Sequence, residues 1–175
     1  YKGVREWFAR INAYGAARGI RILHYINSSG LKEIIEGTEI AHEFRRIYAC
    51  SFLYDIDGVA YWPAVAVNYT NKTQFIFKIN KGVESVFDSK LVNQYIEEDK
   101  RPVPFRRMIY VGDGTTAIPC MRRVKNSGGH SIAVYNPEIR NARRELNGLI
   151  RDNRVSHVCP ADYSEGSEMD TLVKT

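Results

Sequence analysis

The hydrophobic positions change period several times along the chain, and each change marks a predicted element. Val4, Trp7, Phe8, Ile11 and Tyr14 recur at helical spacing, and Gly19 follows as a stop before the apolar run 20–26, which reads as a buried strand. Asn27-Ser28-Ser29-Gly30 predicts a turn with capping residues, and Leu31, Ile34 and Ile35 begin a helix that Gly37 ends. Residues 46–54 are β-prone, Asp55-Ile56-Asp57-Gly58 makes a turn, and the aromatic and β-branched run 59–69 returns as a hairpin arm or a successive strand. Pro63 places that arm at a sheet edge or a bulge, because proline cannot donate to a ladder. Helices are predicted over 72–80 and 83–98, followed by the exposed connector Arg101-Pro102-Val103-Pro104. Beyond it come a strand over 107–111, a glycine-bearing turn over 112–116, a short helix over 118–124 and a strand over 130–135. A basic helix over 138–150, a strand over 155–159 and a final helix over 164–174 complete the pattern. Strands alternating with helices imply an α/β fold, a parallel sheet covered on both faces.

A chain of 175 residues, 44% hydrophobic and 26% charged, has the size and balance of one globular domain spanning 1–175. No window approaches the roughly eighteen uninterrupted apolar residues that a membrane span needs, and the first residues lack a signal-peptide layout, so a cytoplasmic protein without membrane contact is expected. Cys50, Cys120 and Cys159 are far apart, odd in number and free of Cys-x-x-Cys spacing, which argues against a disulfide framework or a zinc site and for buried free thiols. The net charge of +5 is modest, and the basic helix includes Glu138 and Glu145, so it reads as a solvated face and no nucleic-acid partner is expected. The sequence opens at Tyr1, directly in a helical pattern, as a processed or excised piece of a longer protein would.

In a parallel sheet, ligands bind beyond the carboxyl ends of the strands. Two predicted turns occupy that place. Ser28, at the end of an apolar strand, can offer its hydroxyl to a phosphate oxygen, with backbone N–H groups of Ser29 and Gly30 beside it; a plain helix N-cap is the competing role. Gly112-Asp113-Gly114 sets a carboxylate at a strand end between two glycines that permit close approach, a suitable oxygen ligand for Mg²⁺, although such tripeptides also make ordinary turns.

In order along the chain, Ser28-Ser29-Gly30-Leu31 after a strand, a lysine at a helix start, and Ile109-Tyr110-Val111-Gly112-Asp113-Gly114 resemble motifs two, three and four of the haloacid dehalogenase (HAD) superfamily, on its phosphoserine-phosphatase-like branch. Asn68-Tyr69-Thr70-Asn71-Lys72-Thr73, Ile118-Pro119-Cys120-Met121, the stretch 129–135 and Pro160-Ala161-Asp162-Tyr163-Ser164 are similar to one bacterial group of these hydrolases, so the likeness covers nearly the whole chain. It implies a three-layer Rossmann-like core and Mg²⁺-dependent hydrolysis of a small phosphomonoester through an aspartyl-phosphate. Ser28, Ser29 and Gly30 would bind the phosphoryl group, Lys72 would offset its charge and orient the nucleophile, and Asp113 would hold Mg²⁺. Lys78 and Lys81 are alternative motif-three lysines.

Two departures from the family pattern stand out. The second acidic residue of motif four falls on Ala117, and motif one, a strand ending in Asp-x-Asp, is missing ahead of Ser28. Asp55-Ile56-Asp57-Gly58 imitates motif one, with Asp55 as a candidate nucleophile, but it lies between motifs two and three and reads better as a hairpin turn. The resemblance therefore implies that the first core strand and most of the cap are absent, that 1–19 is a remnant cap or linker helix, and that this stretch alone is inactive. A non-catalytic phosphoester-binding or scaffold protein on the same fold is the alternative.

Overall fold

A computed structural model describes residues 1–175. In chain order the helices and strands are α1 (Val4–Ala16), β1 (His24–Leu31), α2 (Lys32–Glu36), β2 (Phe44–Tyr54), β3 (Ala60–Val65), α3 (Lys72–Lys81), α4 (Ser89–Asn93), β4 (Ile109–Gly112), α5 (Ile118–Asn126), β5 (His130–Tyr135), α6 (Ala142–Arg151), β6 (His157–Pro160) and α7 (Glu168–Lys174). They make two compact units, one of residues 1–22 with 105–175 and the other of residues 23–104. The fold is mixed α/β, with helices flanking parallel strands, as the alternating pattern predicts.

The first unit contains the all-parallel sheet β4-β5-β6. Ser131, Ile132, Ala133 and Val134 of β5 are all buried, the signature of a central strand covered on both faces. On one face Ala133 and Val158 pack with Met121 of α5 and Leu149 of α6. Cys159 follows Val158 and therefore points to the other face, where its Sγ lies 4.0 Å from Sδ of Met169 in α7. Helix α1 is tied to α7 by Arg10 Nε donating to Asp170 Oδ1 at 3.1 Å and by Tyr14 donating to the Lys174 carbonyl at 2.5 Å. This unit is thus a three-layer sandwich. Gly19 stops α1 as predicted: its φ is 68°, and the Ile20 and Gly19 amides reach back to the Gly15 and Ala16 carbonyls at 2.9 and 3.1 Å.

The second unit holds the sheet β1-β2-β3, in which β1 and β2 are parallel and β2 and β3 form an antiparallel hairpin. Pro63 sits on edge strand β3 opposite Phe52, where the missing N–H is harmless. Tyr48 of β2 is fully buried, stacks obliquely on Phe75 of α3 at 5.5 Å and donates its hydroxyl to the Val83 carbonyl at 3.0 Å. Burial pushes that phenol up to about 12.

Several predicted boundaries shift, four of them for an evident local reason. The first strand covers His24–Leu31 rather than 20–26, and Ser28-Ser29-Gly30 belong to it instead of forming a capping turn. Pairing passes from Asn27↔Tyr48 to Leu31↔Cys50, so the three residues 28–30 bulge out opposite Ala49 alone. The predicted helix over 83–98 is only α4, because lysine ammonium groups from α3 take carbonyls that a helix would need and Asp88 Oδ1 accepts from the Leu91 amide at 2.8 Å, starting the helix late. Asn136 Oδ1 accepts from the Glu138 amide, and Asn141 adopts φ 67°, which delays α6 to Ala142. Ser167, whose hydroxyl accepts from the Asp170 amide at 3.1 Å, starts α7 at Glu168. Cys120 and Cys159 are buried free thiols and Cys50 is half-buried. No helix is long and apolar enough to cross a membrane.

Candidate functional site

In the second unit the bulge and the start of α3 are tied by one side chain. Asn27, immediately before Ser28, donates from Nδ2 to the Lys72 carbonyl at 3.1 Å. The bulged end of β1 and the opening turn of α3 are therefore neighbours. Asn71 and Asn68 fix that turn: the Asn68 amide donates to Asn71 Oδ1 at 2.8 Å, Asn71 Nδ2 donates to the Ala66 carbonyl at 2.7 Å, and the Lys72 amide donates to the Asn68 carbonyl at 2.9 Å. Lys72 itself is only 6% exposed, an unusual place for an ammonium group.

Ser28 does not cap a helix. Its Oγ accepts from the Gly30 amide at 3.0 Å, a local loop that occupies one backbone donor and holds the hydroxyl at the bulge. Cys50 supports the bulge from the next strand, with Sγ 3.5 Å from the Ser29 carbonyl and accepting from the Val67 amide at 3.2 Å.

The alternative lysines have another occupation. Lys78 is 3% exposed and donates to the Ser85 and Asp88 carbonyls at 3.0 and 2.7 Å, while Lys81 donates to the Val92 and Gln94 carbonyls at 2.7 and 2.6 Å. They staple the segment 83–94 onto α3. Burial holds the Lys78 ammonium below its usual pKa, with Asp88 opposing. Lys78→Met is expected to lower the unfolding free energy by about 1–3 kcal/mol, since two carbonyls lose their donor. Faster amide exchange across 85–91 would register it; unchanged exchange would show that the staple does not hold the segment.

Asp55 makes its own turn. Its Oδ1 accepts from the Asp57 and Val59 amides at 3.0 and 2.8 Å, and Gly58 takes φ 77° to close the hairpin. The Asp-x-Asp of this segment is a reverse turn between β2 and β3, as its place in the chain predicts.

Asp113 belongs to the first unit. It follows β4 directly and is exposed, at the carboxyl end of the parallel sheet. Gly112 is required there: a Cβ on it would lie 2.7 Å from Cβ of Ala117. Asp113 Oδ2 accepts from the Tyr1 hydroxyl at 2.8 Å, and this bond raises the Tyr1 pKa. The Mg²⁺ that the resemblance implies takes one or two carboxylates and completes its shell with water and phosphate. Asp113 fits as one such ligand, while Ala117 brings no oxygen. Sequence reasoning missed both Tyr1 and Asn27. Tyr1 acts across most of the chain length, and an asparagine before a bulge looks like any turn residue.

No family model matches the chain. It is similar to an uncharacterized protein of Borreliella burgdorferi (strain ATCC 35210 / DSM 4680 / CIP 102532 / B31), with 28% identity over 166 residues that cover 83% of this chain and 54% of that protein. The chain therefore spans about half the length of the curated relative it matches.

Proposed function

We propose that this chain carries the core of a HAD-type phosphohydrolase, on the phosphoserine-phosphatase-like branch, which in the whole protein hydrolyses a small phosphomonoester in the cytoplasm with Mg²⁺. The observation that carries it is the join at Asn27, which sets a hydroxyl-bearing bulge at the carboxyl end of β1 beside a buried lysine opening α3. A hydroxyl-bearing bulge and a buried lysine on adjoining stretches of backbone suit a transferring phosphoryl group, whose charge must be neutralised.

In this reading Ser28 Oγ and the Ser29 amide bind phosphoryl oxygens, and Lys72 offsets their charge and orients the attacking carboxylate. Asp113, in the first unit, is the residue that the resemblance assigns to Mg²⁺, which when bound supplies charge neutralisation. The nucleophile is an aspartate on a further strand of the whole protein. β4 is an edge strand bonded to β5 alone, which leaves its other edge for such a strand. The test is Mg²⁺-dependent phosphate release from an aryl phosphate by the intact protein, with Asp113→Asn as control. Lack of turnover in an intact protein whose gene encodes an upstream Asp-x-Asp strand would overturn the proposal.

One observation favours a non-catalytic phosphoester-binding protein instead: Ala117, where the family has a second acid, is 5% exposed and packed into the core. An acid at position 117 would bury an unpaired carboxylate in that cluster, so the discriminating measurement is made on the intact wild-type protein: saturable binding of a non-hydrolysable phosphoester without turnover of an aryl phosphate would favour the binding protein.

A further inference from the structure

We infer that Tyr1 is a positioning residue for Asp113, and that residues 1–3 form a strap delivering its hydroxyl to the carboxylate at the end of β4. The inference rests on the proposed role of Asp113 in holding the metal.

The strap is built from main chain. Lys2 forms a parallel bridge with Asp162 just beyond β6, and its carbonyl accepts from the Tyr163 amide at 2.9 Å. Lys2 Nζ lies 3.2 Å from Asp162 Oδ2, and the other carboxylate oxygen of Asp162 accepts from the Ser164 amide at 2.9 Å. Gly3 has φ 71°, and a Cβ there would fall 2.5 Å from the Ser164 nitrogen, so only glycine lets the strap lie this close to the loop.

Aromatic packing then aims Tyr1. Its ring lies 6.3 Å from that of Tyr163, which is held edge-on by Trp7 at 5.3 Å. Arg10 donates to the Tyr163 carbonyl, fixing the loop from α1. With Lys2 bonded to the loop after β6 and its own ring beside that of Tyr163, Tyr1 reaches Asp113 Oδ2 at 2.8 Å.

The consequence is geometric. Asp113 is flanked by glycines, so no adjacent side chain restrains its carboxylate. A hydroxyl donated to Oδ2 fixes the carboxylate plane and gives Oδ1 a defined direction toward a cation. Outer donors of this kind typically change metal affinity about tenfold to a hundredfold.

The experiment uses the intact protein. Mg²⁺ alone is titrated by calorimetry into wild type, Tyr1→Phe, Gly3→Ala and Asp113→Asn, alongside thermal unfolding and aryl phosphate turnover against Mg²⁺. Tyr1→Phe keeps the ring and removes only the hydroxyl. It is expected to weaken Mg²⁺ about tenfold to a hundredfold with an unchanged thermal midpoint, and its turnover deficit shrinks as Mg²⁺ rises. Gly3→Ala, by lifting the strap, reproduces the affinity loss. Wild-type or tighter Mg²⁺ binding in Tyr1→Phe, with binding lost in Asp113→Asn, overturns the role of Tyr1 alone. Full Mg²⁺ binding in Asp113→Asn, or none in wild type, overturns the proposed role of Asp113 and the strap inference with it.

Discussion

Asp170→Ala is expected to lower the unfolding free energy by about 3–5 kcal/mol. Asp170 is 3% exposed and accepts from Arg10 Nε at 3.1 Å, Lys174 Nζ at 2.7 Å and the Gly166 amide at 3.0 Å. Removing it takes the shared carboxylate from two mostly buried cations and one amide donor at the α1–α7 contact that covers one face of the parallel sheet. Burial alone would raise its pKa, but the Lys174, Gly166 and Arg10 donors together outweigh burial and hold it below the usual carboxylate range. A depressed folded pKa stabilises above the unfolded value near 3.9, and that contribution disappears as pH falls through the folded value. Urea unfolding at neutral pH should show the full deficit for Asp170→Ala, and the gap to wild type should narrow once pH drops below about 4. A variant with the wild-type midpoint at neutral pH would show that the contact contributes nothing net.

On the proposed function, Lys72→Met should reduce phosphomonoester turnover by the intact protein about 10²–10³-fold, the effect of removing one charge-stabilising donor from a transition state. Methionine retains the apolar stem in a site where the residue is 6% exposed, so the fold around Phe75 and Ile76 should survive. Circular dichroism and the unfolding midpoint establish that the variant is folded before its rate is compared. The opposite pattern, normal turnover in Lys72→Met and a comparable loss in Lys78→Met, would move the role to Lys78 and with it the meaning of the 83–94 staple.

What the sequence made legible follows from how local each signal is. The Gly19 stop, the Asp55–Gly58 turn, the edge position of Pro63 and the alternation of strands with helices depend on backbone preferences within a few residues, and the structure bears them out. The start of β1 and the extent of α4 depended instead on partners distant in sequence. An apolar run at 20–22 looks like strand, yet pairing with β2 decides where extension begins and lets Ser28–Gly30 bulge. Residues 83–98 carry helical spacing, yet ammonium groups from α3 claim their carbonyls. The candidate site divides the same way. Ser28, Lys72 and Asp113 were visible because glycine, strand end and helix start frame them. The Asn27 join and the Tyr1 hydroxyl were not, because each acts on a residue 45 or 112 positions away.

Strand β4 has a practical side. It pairs with β5 alone, and Ile109 and Val111 on it remain well exposed. An apolar rim of this kind is adhesive toward other extended chains. Material consisting of these residues alone will tend to stick to itself at high concentration, and conditions that keep it dispersed will have to shield this rim rather than adjust the protein's overall charge.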